Sequence, residues 1–462
     1  MIIDLLERSL ESASILSTDL IQLRGQKRII SLYAMKNGSL EVCSKNYFEG
    51  LGIRALSNGA WGFASTNLLD SKSIKNSLET TLKLAKSAAT NRKKPISLDS
   101  IISVIDNINV PCKKPPVDYS EEEIADILKE INKNAQNVSS NVKTINIKFI
   151  VIQDQKYFLS TEGTKIQEKY TKLNLNIDLL AKKNERMVPL SETYAHTGGM
   201  ELFENQSPQS IGKNLSEKAI KLLEATECPF GTFNVIIQPT LCATLLHEAI
   251  GHPLEADLAM AGGGFSNHIE NIVSSELVTI YDFGLVEKGL GYFTYDDEGV
   301  KCNKTTLIEE GVLKSYMHDR TSASLSGIEP TGNAHAWDFN CEPLIRQTNI
   351  GLEAGDFSID EMIEGIKDGL ILDGTFGGQA NTNADFTFGF QSAIAIKNGE
   401  SDDNYILGAN VSGNAIEVFK TIDAISNKAI LRPGACGKWQ FAIQGRIVPA
   451  IRCNIMVGGK GG

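Results

Sequence analysis

The sequence lacks several things, and each lack removes a class of protein. No two of its eight cysteines form a C-x-x-C pair; they stand at 43, 112, 228, 242, 302, 341, 436 and 453. That spacing offers neither a zinc knuckle nor a thioredoxin-type redox motif, and reduced thiols in the cytoplasm are the expectation. No segment reaches the roughly 18 uninterrupted apolar residues of a membrane helix. The opening MIIDLLERSLESAS has neither the basic flank nor the apolar run of a secretory signal. Cations are outnumbered, 45 Lys and Arg against 56 Asp and Glu, for a net charge of -11. A nucleic-acid surface needs clustered cations and is not expected; an acidic surface favours solubility. Histidine is scarce, six in 462 residues, so two close together carry weight.

What is present is ordinary globular composition, 42% hydrophobic and 22% charged, in a chain long enough for two domains. Ile2, Leu5, Leu6 and Leu10 recur at helical spacing, and strand-like sequence follows to Val42 with Asn37-Gly38 as a hairpin turn. A second pair turns at Asn58-Gly59, where Trp61 is read as core. A helix over Ile74 to Ala89 comes next, and PCKKPPVD interrupts regular structure. Ser120 and Glu123 fit a capping box, and Thr144–Val151 and Lys165–Leu179 alternate as antiparallel strands. Past Cys228 the chain is richer in glycine and in short β-like runs. The expected class is therefore α+β. Residues 1–228 form an N-terminal α/β domain, a mostly antiparallel sheet flanked by helices. Residues 229–462 form a β-rich domain enclosing a helix that opens at Pro239.

That helix carries HEAIGHPLEAD, residues 247–257. A lone histidine on an apolar helix is usually a satisfied core residue. Here His247, Glu248 and His252 follow Leu245 and Leu246, and three buried ionisable groups are costly unless something such as a divalent cation pairs them. In H-E-x-x-H the four-residue step sets two imidazoles about 40° apart, whereas five residues give about 140° on a straight helix. The helix must loosen, kink or bulge between the histidines. Gly251 is expected to permit a kink, and Pro253 to push His252 out of the α region.

With two histidines as metal ligands, a third is needed, and a fourth position remains for water. Glu248, adjacent to His247, is expected to point elsewhere on the helix and to serve as general base. Glu255, Asp257 and a cysteine are the candidate third ligands; Glu255 could instead orient an imidazole. Cys436 stands out weakly among the thiols because RPGACGKWQ supplies glycines for close approach and Pro433 to stiffen a loop. Single His268 and His318 are read as solvated. Asp296-Asp297-Glu298 lacks the spacing of a calcium loop and reads as a solvated hairpin or a contact for substrate amino groups, with Asp296 as its candidate. Arg346 is read as able either to hold a peptide carboxylate bidentately or to pair with a nearby acid.

HEAIGHPLEAD resembles the H-E-x-x-x-H helix of the TldD/PmbA family of metalloproteases, also called modulators of gyrase. GLGIRALSNGAWGFAST, YDDEGV, LIRQTN, ADFTFGF with IKNGE, and PGACGK follow the family in order through nearly the whole chain. The resemblance implies a zinc (Zn2+) peptidase of the catalytic TldD type, with His247, His252 and Cys436 as metal ligands and Glu248 as base. It implies unfolded peptides bound as an extended strand, and a dimer with a PmbA-type partner or with a second copy. Two positions depart from the family. His335, in TGNAHAW, stands where many relatives carry an arginine, and Pro253 replaces a small residue and is read as helix-shaping. The rival readings are a non-catalytic binding or assembly subunit and a Cys436 thiol nucleophile served by His247. The sequence leaves open the peptides cut, endo- or exopeptidase action, the dimer partner and the identity of the metal.

Overall fold

The structure, a computed structural model, describes residues 2–14 and 18–460. Its first half is a seven-stranded sheet built on very long strands. β1 (Leu20–Lys36), β2 (Ser39–Ser57) and β3 (Ala60–Thr66) form an antiparallel meander; β4 (Ile105–Asn109), β5 (Val142–Ser160), β6 (Lys165–Lys183) and β7 (Arg186–Thr197) complete it. β1 pairs antiparallel with β5, and β6 carries both β4 and β7. The turns expected at Asn37-Gly38 and Asn58-Gly59 are present, with positive φ at all four residues, the signature of the hairpin turn that matches strand twist. Trp61 is half-buried, its indole donating to Thr321 Oγ1 under the Arg54 guanidinium.

Helices cover this sheet. α1 (Ile2–Ser14) and α2 (Ser71–Ala89) bury Leu6, Ile74 and Leu78 against Leu23, Leu51 and Ile53 of β1 and β2. α3 (Glu121–Gln136) opens with the expected reciprocal Ser120–Glu123 capping box, and packs with the helix Pro208–Leu222 over Phe149, Leu173 and Leu175.

From residue 231 on, strands are short, two to ten residues. A nine-stranded sheet, a six-stranded sheet and a two-stranded ribbon surround one core, and the helix from Pro239 lies inside it. Leu241, Leu245, Leu246 and Ile250 are at most 1% exposed there. A helix this apolar on all sides is stable only when enclosed. No described helix is long and apolar enough to cross a membrane.

Ion pairs join the two halves. Asp297 holds Lys156 of β5 at 2.6 Å and lies 3.7 Å from Arg24 of β1, while Glu298 pairs with Arg54 of β2. All eight cysteines are free. Cys242, Cys302 and Cys453 are buried as small thiols tend to be, whereas Cys43 is exposed on β2.

Candidate metal centre

The central helix runs as α-helix over Pro239–Leu245 and then widens into one π-helical turn over Leu246–Gly251. The His252 amide donates to the His247 carbonyl, an i→i+5 bond between the two histidines themselves. A turn bonded that way brings residues five apart onto one face, and the ring centroids stand 4.5 Å apart. So the helix loosens, as the spacing requires, but by other means than expected. His252 keeps helical angles, φ -62° and ψ -47°. Pro253 does not expel it, because Pro253 sits in the first positions of a 3-10 segment, where its missing amide hydrogen removes no needed bond. Gly251 is also helical, and what it supplies is space: a Cβ there would lie 2.4 Å from the Gln347 amide.

Gln347 uses that space to fix the first ring. Its Oε1 lies 2.7 Å from Nδ1 of His247, and the Gln444 amide nitrogen lies 2.9 Å from Nε2. On the second ring, Nδ1 of His252 is 3.1 Å from Glu255 Oε1 and Nε2 is 3.3 Å from the Cys436 sulfur. One ligand atom from each of His247, His252 and Cys436 lies within 4.8 Å of the other two. Glu248 does not point away, as its adjacency to His247 suggested. Its carboxylate oxygens reach 3.6 Å from His247 Nε2 and 3.9 Å from His252 Nε2.

Cys436 lies on a strand, not in the expected loop. Ile430–Lys438 is the edge strand of the six-stranded sheet, hairpinned to Gln440–Val448, and an edge tolerates Pro433. The alternatives for a third ligand are otherwise engaged. Lys438, two residues along the same strand face, donates to Glu255 at 2.5 Å and to Asp257 at 2.7 Å. Glu255 thus grips His252 with one oxygen and Lys438 with the other.

Electrostatics separate the two rings. Burial, reinforced by the Arg446 charge, holds His247 well below the ordinary histidine range, in the neutral state that a metal ligand requires. Burial would lower His252 too, but the Glu255 carboxylate and the Cys436 sulfur outweigh it and raise it to about 10. Two imidazoles and a thiol, each imidazole's other nitrogen already held by Gln347 or Glu255, suit a zinc-like cation. The group opens on a cleft of about 250 Å³ between Glu248, His252 and Pro253 on one side and Asn381, Thr382 and Gly437 on the other.

Of the other expected site residues, Arg346 adjoins the centre and Asp296 lies in the acidic turn. Arg346 is 1% exposed; it donates from Nη2 to the Cys436 sulfur at 2.5 Å and from Nη1 to the Lys438 carbonyl at 3.0 Å. Asp296 is buried. Its Oδ1 accepts the amides of Glu298 and Val300, both at 2.9 Å, and its Oδ2 that of Ala334 at 3.1 Å. The turn it closes is therefore interior, not solvated. His318 is buried, with Nδ1 3.0 Å from Ser322 Oγ, rather than solvated; half-buried His268 has Nδ1 2.8 Å from the Ser266 carbonyl. His335 is buried with its ring 4.5 Å from Phe293. Sequence reasoning missed Gln347, Gln444, Lys438 and Arg446. Only Lys438 carried a local signal, its i+2 spacing from Cys436 on a strand.

Comparison with known proteins places the chain in a family. Family models described as PmbA/TldA metallopeptidase domain 1, central domain and C-terminal domain match residues 22–89, 114–223 and 230–459. A metalloprotease of Methanothermobacter thermautotrophicus is 33% identical over 429 residues, 92% of each chain. A zinc metalloprotease TldD homolog of Saccharolobus solfataricus is 28% identical, over 84% of this chain and 85% of that one. Among solved structures, TldE of Thermococcus kodakarensis superposes with a TM-score of 0.80 at 19% identity, covering 98% of this chain and 100% of that one. A Thermotoga maritima protein described as a candidate modulator of a DNA gyrase gives 0.81 at 19%, covering 98% and 99%.

Proposed function

The chain belongs to the PmbA/TldA metallopeptidase family, and from that membership we propose that it is a zinc-dependent peptidase acting on unfolded peptides. His247, His252 and Cys436 would hold the ion, and residues 229–462 would form the catalytic domain. When bound, the cation supplies Lewis acidity and lowers the pKa of water at the site. The observation that carries the reading is the Glu248 carboxylate. It lies 3.6 Å and 3.9 Å from the two Nε2 atoms and lines the cleft. From there Glu248 takes a proton from water and returns it to the leaving amine. Gln347 and Glu255 hold the rings, and Lys438 holds Glu255. Arg346 steadies Cys436 and the strand that bears it. The free edge of Ile430–Lys438 can take an extended peptide by main-chain hydrogen bonds, which asks little of its sequence. In this reading the protein works as a dimer, with a PmbA-type partner or a second copy.

The contact of Cys436 with His252 favours a second reading, a thiol nucleophile with His252, rather than His247, as its base. That reading leaves His247 and Glu248 without a task. One experiment separates the two. Purified protein should carry about one zinc per chain and degrade a denatured casein, with fragments read by mass spectrometry. A chelator should stop cleavage and zinc restore it. Cys436→Ala should lose the metal together with activity; cleavage that survives chelation but not thiol alkylation would overturn the metallopeptidase.

A further inference from the structure

A second recess lies beside the candidate centre, on the same face of the Cys436 strand pair. In the hairpin register Arg432, Gly434 and Cys436 face Arg446, Gln444 and Ala442. Pairs two apart share a sheet face, so Arg446 and Cys436 stand on the same side with Gly434 between them. Gly434 has no side chain to block the way, and the Arg446 guanidinium lies across it: a Cβ there would be 2.6 Å from Arg446 Cζ. This places the guanidinium toward the thiol and the two histidines.

Arg446 is 8% exposed, and its Nε has no hydrogen-bond partner among the described residues. A buried guanidinium left short of acceptors is costly, which points to a ligand that supplies them. The recess it lines is about 100 Å³, walled also by Thr240, Thr244, Thr375 and Arg432. Glu192, the one carboxylate among the described residues that line it, is already paired with Arg432, and Arg446 feels the charges of Glu248 and Cys436 from the neighbouring centre. Thr244 and Thr375 bond each other, so the donor left for a ligand in this space, the size of a carboxylate and a short stem, is the Arg446 guanidinium. Thr244 stands one turn before Glu248 on the same helix, so a group bound here lies next to the reacting end of the cleft.

We propose that this recess is a carboxylate-binding subsite, gripped by Arg446, that seats an anionic group of the peptide beside the candidate centre. The proposal rests on the peptidase reading for its substrate, but not for its chemistry. The carboxylate is either the chain terminus or an Asp or Glu side chain, and the test tells them apart.

Binding is measured by calorimetry on the full-length Glu248→Gln protein, which need not turn over. Three N-acetylated peptides of one sequence are compared: the free acid, the C-terminal amide, and the amide with one internal Glu. A charge-assisted contact of this kind should favour the carboxylate-bearing peptide about tenfold over the plain amide. A preference for the free acid identifies the terminus, and a preference for the Glu peptide identifies the side chain. Adding Arg446→Gln should erase the preference, and Arg446→Lys should keep part of it. Equal binding of all three peptides to the Glu248→Gln protein, which does not depend on any Arg446 variant folding, overturns the subsite. So does a preference that survives Arg446→Gln. If the binding pattern holds while the wild type cleaves none of the three, the peptidase reading fails and the subsite stands.

Discussion

Two clusters of ionisable residues invite comparison, His247-Glu248-His252 and Asp296-Asp297-Glu298. Both are largely or wholly buried, and each is compact in sequence. They differ in what their reactive atoms face. At the acidic turn every carboxylate is consumed: Asp296 accepts three amides, Asp297 binds Lys156, and Glu298 binds Arg54 and the Arg320 amide. At the helix Gln347 and Glu255 hold the Nδ1 atoms, and both Nε2 atoms, the thiol and the Glu248 carboxylate converge on one spot beside a cleft even though Gln444 and Arg346 also reach into it. Burial alone does not mark a site. Convergence of groups that hold one another at a distance does.

The comparison breaks most readily at Glu248. Glu248→Gln should lower peptide cleavage by about a hundred- to ten-thousandfold with metal content unchanged by mass spectrometry; retained activity would make the helix cluster as structural as the turn. Asp297→Asn should leave metal content alone but destabilise the fold by about 3–5 kcal/mol, since it strands buried cations, as read from urea midpoints. The same pair of proteins gives a pH test. Burial opposes ionisation of Asp297, but Lys156 and Arg24 overcome it and hold its pKa at about 2, against an ordinary 3.8. A depressed carboxylate pKa stabilises above the unfolded value and loses that stability as pH falls through the folded one. The gap between wild type and Asp297→Asn should therefore be full above about pH 4 and shrink by about 2 kcal/mol toward pH 2. A gap independent of pH would contradict the ion pairing. Last, Gly251→Ala should displace Gln347 from His247 and weaken zinc binding about ten- to hundredfold, as read by chelator competition.

What the sequence made legible was local. Asn-Gly pairs name their turn because both residues must adopt positive φ, and the Ser120–Glu123 box names its helix because each side chain caps the other. The histidine pair was legible for the same reason, since a five-residue step has to be accommodated within one turn. Its cause was misread because Gly251 acts through contact with Gln347, 96 positions away in the numbering, and not through its own backbone. Gln444 and Arg446 reach the site only through strand register, and Arg24 and Arg54 reach the acidic turn across the junction of the two halves. Nothing in the sequence signals that Arg346 and Asp296 are buried; only the acceptors and donors that the fold brings around them show it.

The bond from the His252 amide to the His247 carbonyl has a consequence for how this motif tolerates length changes. A single wide turn absorbs one surplus residue while the flanking turns keep their phase. Excising Ala249 or Ile250 should thus let ordinary winding resume and leave the histidines four apart, still side by side, in the shorter H-E-x-x-H form. Zinc retained by such a shortened chain would mean that the two spellings of the motif are separated by one tolerated deletion, and zinc lost would mean that the extra residue is indispensable.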